Sequence, residues 1–286
     1  MITLENEFLK VGIQLKGAEL TSVFSKKHNH EYMWQADPRF WAKTSPVLFP
    51  IVGGLVNDNY LYDGQKYQMS KHGFARDQFF NCISATNEDA IFSLEDTDQT
   101  RDKYPFAFTL KIVYKLQDSK LSVSYIITNK GDKNMPYSIG AHPAFALENE
   151  TYNSYSLTFD KNETLEIWPL NFDGTIKTTP LLLQDDGMRI SLKKELFYKD
   201  ALVFKNLKSE TIRLSSTETR RGLVYNIAEF PYLGIWAAKD APFVCIEPWC
   251  GIADHENHNR DIMTKEGIRI LEPSKTDTKT WWVEFY

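Results

Sequence analysis

Phe108-Thr109-Leu110-Lys111-Ile112-Val113-Tyr114-Lys115-Leu116 is followed by Gln117-Asp118-Ser119-Lys120 and then by Leu121-Ser122-Val123-Ser124-Tyr125-Ile126-Ile127. In both arms every second residue is large and apolar, with polar residues mostly between them. Successive side chains on a strand point to opposite faces, so the pattern reads as a long antiparallel hairpin with one buried face. Asn129-Lys130-Gly131-Asp132 ends it with turn chemistry.

The same signature extends outward in shorter pieces: Phe8–Gln14, Glu19–Ser25, Tyr60–Tyr67, Ala90–Leu94, Tyr155–Phe159, Thr211–Ser215, Leu223–Phe230, Phe243–Glu247 and Trp281–Phe285. Gly, Pro, Asn or Asp bounds each run. Many short strands separated by turns predict a sandwich or barrel. Helical periodicity is scarce, with Ile190–Phe197 the best short segment and Asp37–Trp41 a weaker one. No Gly/Ser linker, repeat or like-charge block divides the chain, so residues 1–286 are read as a single all-β domain.

Composition narrows the function. A net charge of −5 disfavours a phosphate-backbone binder, and no nucleic-acid partner is expected. Val47–Val56 is broken by Pro50, Gly53 and Gly54, far short of the ~20 apolar residues of a membrane span. The N-terminus has no basic stretch leading into an apolar one, and three Cys make no disulfide framework. A cytoplasmic protein with reduced thiols is the expectation.

Three polar clusters sit inside apolar surroundings. In Ser70-Lys71-His72-Gly73-Phe74-Ala75-Arg76-Asp77, a His and an Arg four apart bring an imidazole and a fork of donors within reach of one concavity. Pairing of Arg76 with Asp77 on a surface turn explains the same residues as well. Ser138-Ile139-Gly140-Ala141-His142-Pro143-Ala144-Phe145 places a His among small and apolar residues, where burial lowers its pKa. Standing alone, such a His is more often a core residue satisfied by backbone. In Val244-Cys245-Ile246-Glu247-Pro248-Trp249-Cys250-Gly251 a carboxylate closes an apolar strand, which requires pairing, hydrogen bonding or a catalytic use.

Taken together and in this order, the clusters resemble the aldose 1-epimerase (galactose mutarotase) superfamily, with spacing closest to its LacX-like branch. Ser45-Pro46-Val47-Leu48-Phe49-Pro50 and Lys199-Asp200-Ala201-Leu202-Val203-Phe204 extend the likeness over nearly the full chain. The resemblance implies a large antiparallel two-sheet supersandwich with few short helices and an open sugar groove. It also implies His142 as general acid and Glu247 as general base. His72 would bind near the ring oxygen, Arg76 and Asp200 would hold ring hydroxyls, and Trp249 would offer an aromatic face. The galactose mutarotases carry an arginine where this chain has Gly53-Gly54-Leu55, and Arg76 is the residue available to replace it.

The implied reaction interconverts the α and β anomers of a hexose by opening and reclosing a cyclic hemiacetal. Paired acid and base assistance, ~10²–10⁴-fold each, needs no metal and no cofactor. The expected partner is a small-molecule sugar, and a homodimer is left open. A glycosidase would instead use two carboxylates, for which Asp200 and Glu247 are available, but would leave two histidines idle. A non-catalytic carbohydrate-binding protein has no use for an acid–base pair. Relatives acting on hexose 6-phosphates carry an arginine before the Ser45–Pro50 segment. Here the stretch is Trp41-Ala42-Lys43-Thr44-Ser45, so free hexoses are expected to be better ligands than their 6-phosphates. Asp254-His255-Glu256-Asn257-His258 lacks a metal-ligand spacing and reads as a solvated loop. His28 and His30 read as part of a hairpin turn.

Overall fold

A computed structural model describes residues 1–148, 152–183 and 187–286. The deciding hairpin pairs Phe108–Gln117 with Lys120–Asn129 in unbroken register, Phe108 against Asn129 and Gln117 against Lys120. Its turn is only Asp118-Ser119, with Asp118 at φ 52°, a conformation that a short Asp side chain tolerates. Leu110, Ile112, Tyr114, Leu121, Val123 and Tyr125 are all buried, as their alternation requires.

This hairpin supplies the sixth and seventh strands of a nine-stranded antiparallel sheet. From one edge to the other its strands are Arg189–Ser191, Tyr155–Phe159, Thr211–Ser216, Gly222–Asn226, Thr276–Phe285, Lys120–Asn129, Phe108–Gln117, Asp89–Glu95 and Asn81–Ala85. A six-stranded sheet contains Leu202–Lys205, Tyr232–Trp236, Phe243–Trp249, Gly140–Ala141 and Val47–Leu48 in that order, and Ala144–Ala146 also pairs with Phe243–Trp249. One hydrophobic cluster draws on both sheets, with Phe108, Tyr125 and Trp281 from the larger and Phe204, Ile235 and Phe243 from the smaller. The architecture is the expected all-β, antiparallel two-sheet supersandwich. Among the described residues no helix is long and apolar enough to cross a membrane.

Several local expectations are corrected. Tyr60–Tyr67 is a tight hairpin of Asn59–Tyr62 with Gln65–Gln68, because Asp63 and Gly64 both take positive φ, as a two-residue turn demands. Ile190–Phe197 is not a helix. Ile190 lies in the edge strand Arg189–Ser191, Lys193 is extended, and only Lys194–Phe197 forms a 3₁₀ turn. Asp37–Trp41 is a single turn closed by Phe40 and Trp41 N–H donating to the Asp37 carbonyl. Leu223–Phe230 leaves the sheet after Asn226. His28 is in a turn, but His30 begins the strand His30–Glu31.

Candidate active site

The six-stranded sheet positions His142 and Glu247 through its register. Gly140 lies opposite Trp249 and Ala144 opposite Cys245, so His142 falls opposite Glu247. Pro143 has no N–H to give the ladder, which parts locally between the two short strands around His142. His142 Nε2 comes to 3.3 Å from Glu247 Oε2. The approach lacks hydrogen-bonding alignment, and Oε2 and His142 Nδ1 are both buried without a partner.

On the other side of Glu247 the strand partner is Gly234. A Cβ on Gly234 would come within 2.5 Å of the Trp249 ring, and one on Gly140 within 2.7 Å. Both glycines therefore clear the space in which the Trp249 indole lies across the sheet. Trp41 stacks on His142 at 5.0 Å with rings 26° apart, and Trp236 meets the imidazole edge-on at 5.6 Å. The Trp41 segment is fixed from behind: the buried Glu19 carboxylate accepts from Thr44 and Ser45 N–H at 2.7 and 2.9 Å.

His72 and Gly73 take consecutive positive φ values of 69° and 71°, reversing the chain so that Lys71, His72 and Arg76 share the cleft wall. Gly53 N–H donates to His72 Nδ1 at 3.1 Å, and His72 N–H returns a bond to the Gly53 carbonyl at 3.0 Å. With Nδ1 accepting and burial holding the imidazole well below its ordinary pKa, Nε2 carries the proton and faces the site as a donor. Arg76 Nη2 donates to the Lys71 carbonyl at 2.7 Å, while its Nε is buried with no hydrogen bond. Asp77 lies 3.8 Å from that Nε, so the surface pairing weighed from sequence is a loose contact of a cleft arginine.

Asp200 lies just before strand Leu202–Lys205 at φ 91°, a strained conformation for a non-glycine residue and one that concentrates at functional sites. All six residues singled out from sequence, His142, Glu247, His72, Arg76, Asp200 and Trp249, line one cleft of about 250 Å³. Trp41, Gly53, Lys71 and Trp236 also line it and were not singled out. No local pattern marks the two tryptophans, whereas Lys71 was visible as the cationic neighbour of His72.

Burial sets the charge state. It pushes the His142 imidazole down to about 3. It drives the Glu247 carboxyl well above the usual range, against the pull of Lys71 and with Asp200 adding to the shift. Carboxylic acid plus neutral imidazole has the same net charge as carboxylate plus imidazolium. The pair can therefore pass one proton without changing the charge of the cleft.

Among the described residues, His142, Cys245 and Glu247 are the grouping whose donor atoms all lie within 4.8 Å of one another. Burial holds the Cys245 thiol well above its ordinary pKa, so it is a neutral wall and a poor fit for a cation. The Asp254–His258 segment is a correction. Rather than being solvated, Asp254 is buried, receives Lys265 Nζ at 2.8 Å, accepts Val56 N–H at 3.1 Å and faces His258 Nδ1 at 3.4 Å. It anchors the loop after Gly53-Gly54 to the cleft floor, while Glu256 and Asn257 are exposed.

The aldose 1-epimerase family model matches residues 1–265. The chain is 33% identical to the plasmid LacX protein of Lactococcus lactis subsp. lactis, with 98% of this chain and 97% of that one covered. It is similar to a galactose mutarotase related enzyme from Lactobacillus acidophilus, 34% identical over 100% of this chain and 97% of that one, with a TM-score of 0.95. A galactose mutarotase-like protein from Lactobacillus casei ATCC 334 is 33% identical over 100% of both chains, with a TM-score of 0.96. A match over nearly the whole length, on a fold that brings the His72, His142, Asp200 and Glu247 motifs to one cleft, shows that this chain belongs to the aldose 1-epimerase family.

Proposed function

We propose that the protein interconverts the α and β anomers of a free hexose by general acid–base catalysis. The observation that carries this reading is the 3.3 Å approach of His142 Nε2 to Glu247 Oε2 at the head of a cleft lined by hydroxyl-binding groups. Ring opening starts once the pair has passed its proton from Glu247 to His142, and ionised Glu247 then takes the proton of the C1 hydroxyl. The C1–O1 bond gains double-bond character, the C1–O5 bond breaks, and O5 takes the proton of the His142 imidazolium. The pair is then left as carboxylic acid and neutral imidazole, the state burial favours. Rotation about C1–C2 presents the other carbonyl face, and the same two groups close the ring with roles reversed.

The remaining groups suit binding. The His72 Nε2–H donates near the ring oxygen, Arg76 and Asp200 hold ring hydroxyls, and the Trp249 face covers the apolar side of the ring. Lys43, considered from sequence as a phosphate ligand, is 3.5 Å from Asp77 and does not line this cleft.

Polarimetry on freshly dissolved α-D-glucose and α-D-galactose, beside glucose 6-phosphate, tests the proposal. The expected result is enzyme-dependent acceleration, with a higher kcat/KM for a free hexose. Binding without acceleration would make this a carbohydrate-binding protein. A higher kcat/KM for the phosphate would overturn the substrate class.

A further inference from the structure

Lys71 stands beside His72 in the first polar cluster, and it lines the same cleft as Glu247 and His142. Its position is fixed by its backbone. The Lys71 carbonyl accepts Arg76 Nη2–H at 2.7 Å, and Gly73 N–H closes the turn onto the Ser70 carbonyl at 2.9 Å. Its ammonium makes no ion pair or hydrogen bond among the described residues, although it is half-buried. Lys43, Lys205 and Lys265 each have a carboxylate within 4 Å.

We propose that Lys71 is the counter-charge of the acid–base pair, holding Glu247 in the anionic form that accepts the proton of the anomeric hydroxyl. The inference rests on the mutarotase reading and names what makes it workable. A buried carboxyl with Oε2 unpartnered has little means of ionising unless a positive charge faces it.

The other groups around Glu247 do not meet that need. His142 gains its charge only when Glu247 or the substrate gives up a proton. Asp200 opposes ionisation. Cys245, on the same strand, and Tyr225, from the nine-stranded sheet, carry no charge, because burial holds the thiol and phenol well above their ordinary pKa values. The Trp249 indole favours the carboxylate but brings no charge, and Arg76, the other cation of the cleft, acts on His142 and His72. Lys71 is the leading positive charge acting on Glu247, and it also disfavours protonation of His142 and His72. It thus acts as a positioning residue for charge, lowering the cost of the Glu247 carboxylate that takes the anomeric proton.

The test compares Lys71→Met, which keeps the length of the side chain without its charge, with Lys71→Arg. Removing the cation raises the Glu247 pKa, so the acid limb of the kcat/KM profile should move to higher pH. The kcat at neutral pH should fall roughly 10-fold or more, while KM changes little, and Lys71→Arg should restore most of the rate. Carboxyl ¹³C NMR on glutamate-labelled protein, with Glu247→Gln assigning the resonance, reads the same shift without turnover, and circular dichroism checks folding. An unmoved Glu247 midpoint in Lys71→Met, or a raised KM at unchanged kcat, would overturn the proposal. Wild-type protein that leaves every hexose unaccelerated would instead remove the mutarotase reading, while the NMR titration would still decide whether Lys71 controls Glu247.

Discussion

Acidification should weaken this protein through His142 in particular, by an amount that follows from its burial. The imidazole titrates at 6.5 in an unperturbed chain and at about 3 in the folded protein. A lowered folded-state pKa means that the unfolded chain takes up the proton first. The contribution of this group to stability is therefore intact above about pH 6.5 and is lost progressively down to about pH 3. Within that window each pH unit costs ~1.4 kcal/mol, so at about pH 5 the loss is ~2 kcal/mol. His142→Asn removes the titration and keeps a polar amide beside Glu247. Urea unfolding of both proteins at about pH 7.5 and about pH 5, followed by tryptophan fluorescence, isolates the difference. His72, also held low by burial, is present in both proteins and largely cancels. Wild type should lose ~2 kcal/mol more than the variant on acidification. Equal losses, or a wild type that gains on the variant, would mean that native His142 carries its proton in the resting state and that the charge assignment of the pair is wrong.

Glu247→Gln preserves shape and removes the proton acceptor; kcat by polarimetry should fall ~10²–10⁴-fold while the thermal midpoint holds or rises, because a buried unpartnered carboxyl oxygen has gone. Arg76→Ala should mainly raise KM, since its fork binds ground state and transition state alike, whereas Lys43→Ala, whose ammonium faces Asp77 outside the cleft, should leave hexose kinetics unchanged. Asp254→Asn strands the buried Lys265 ammonium and should cost about 3–5 kcal/mol by urea unfolding, with part recovered on adding Lys265→Met.

What the sequence revealed followed the range of the interactions involved. The Phe108–Gln117 hairpin was legible because a period of two persists over both ten-residue strands. The Ile190–Phe197 segment misled because Ile190 and Phe197 satisfy a helical spacing, while pairing of Arg189–Ser191 with Tyr155–Phe159 decides the conformation. Likewise, Asp63-Gly64 turns the chain inside what reads as one strand. The cleft residues were legible where a motif marks them, as at His72, His142 and Glu247. Trp41 and Trp236 were not, because their contacts with His142 join three separate segments of the chain. Asp254 looked solvated because its partner, Lys265, lies eleven residues away across a turn that local composition does not show.

Whether His142 and Glu247 work on the anomeric centre of a sugar is read from a crystal structure with glucose or galactose bound. The C1 hydroxyl should lie within ~2.6–3.2 Å of the Glu247 carboxyl, with the ring oxygen at similar reach of an imidazole nitrogen of His142. A sugar seated with its anomeric carbon turned away from this pair, at the Asp200 end of the cleft, would contradict it.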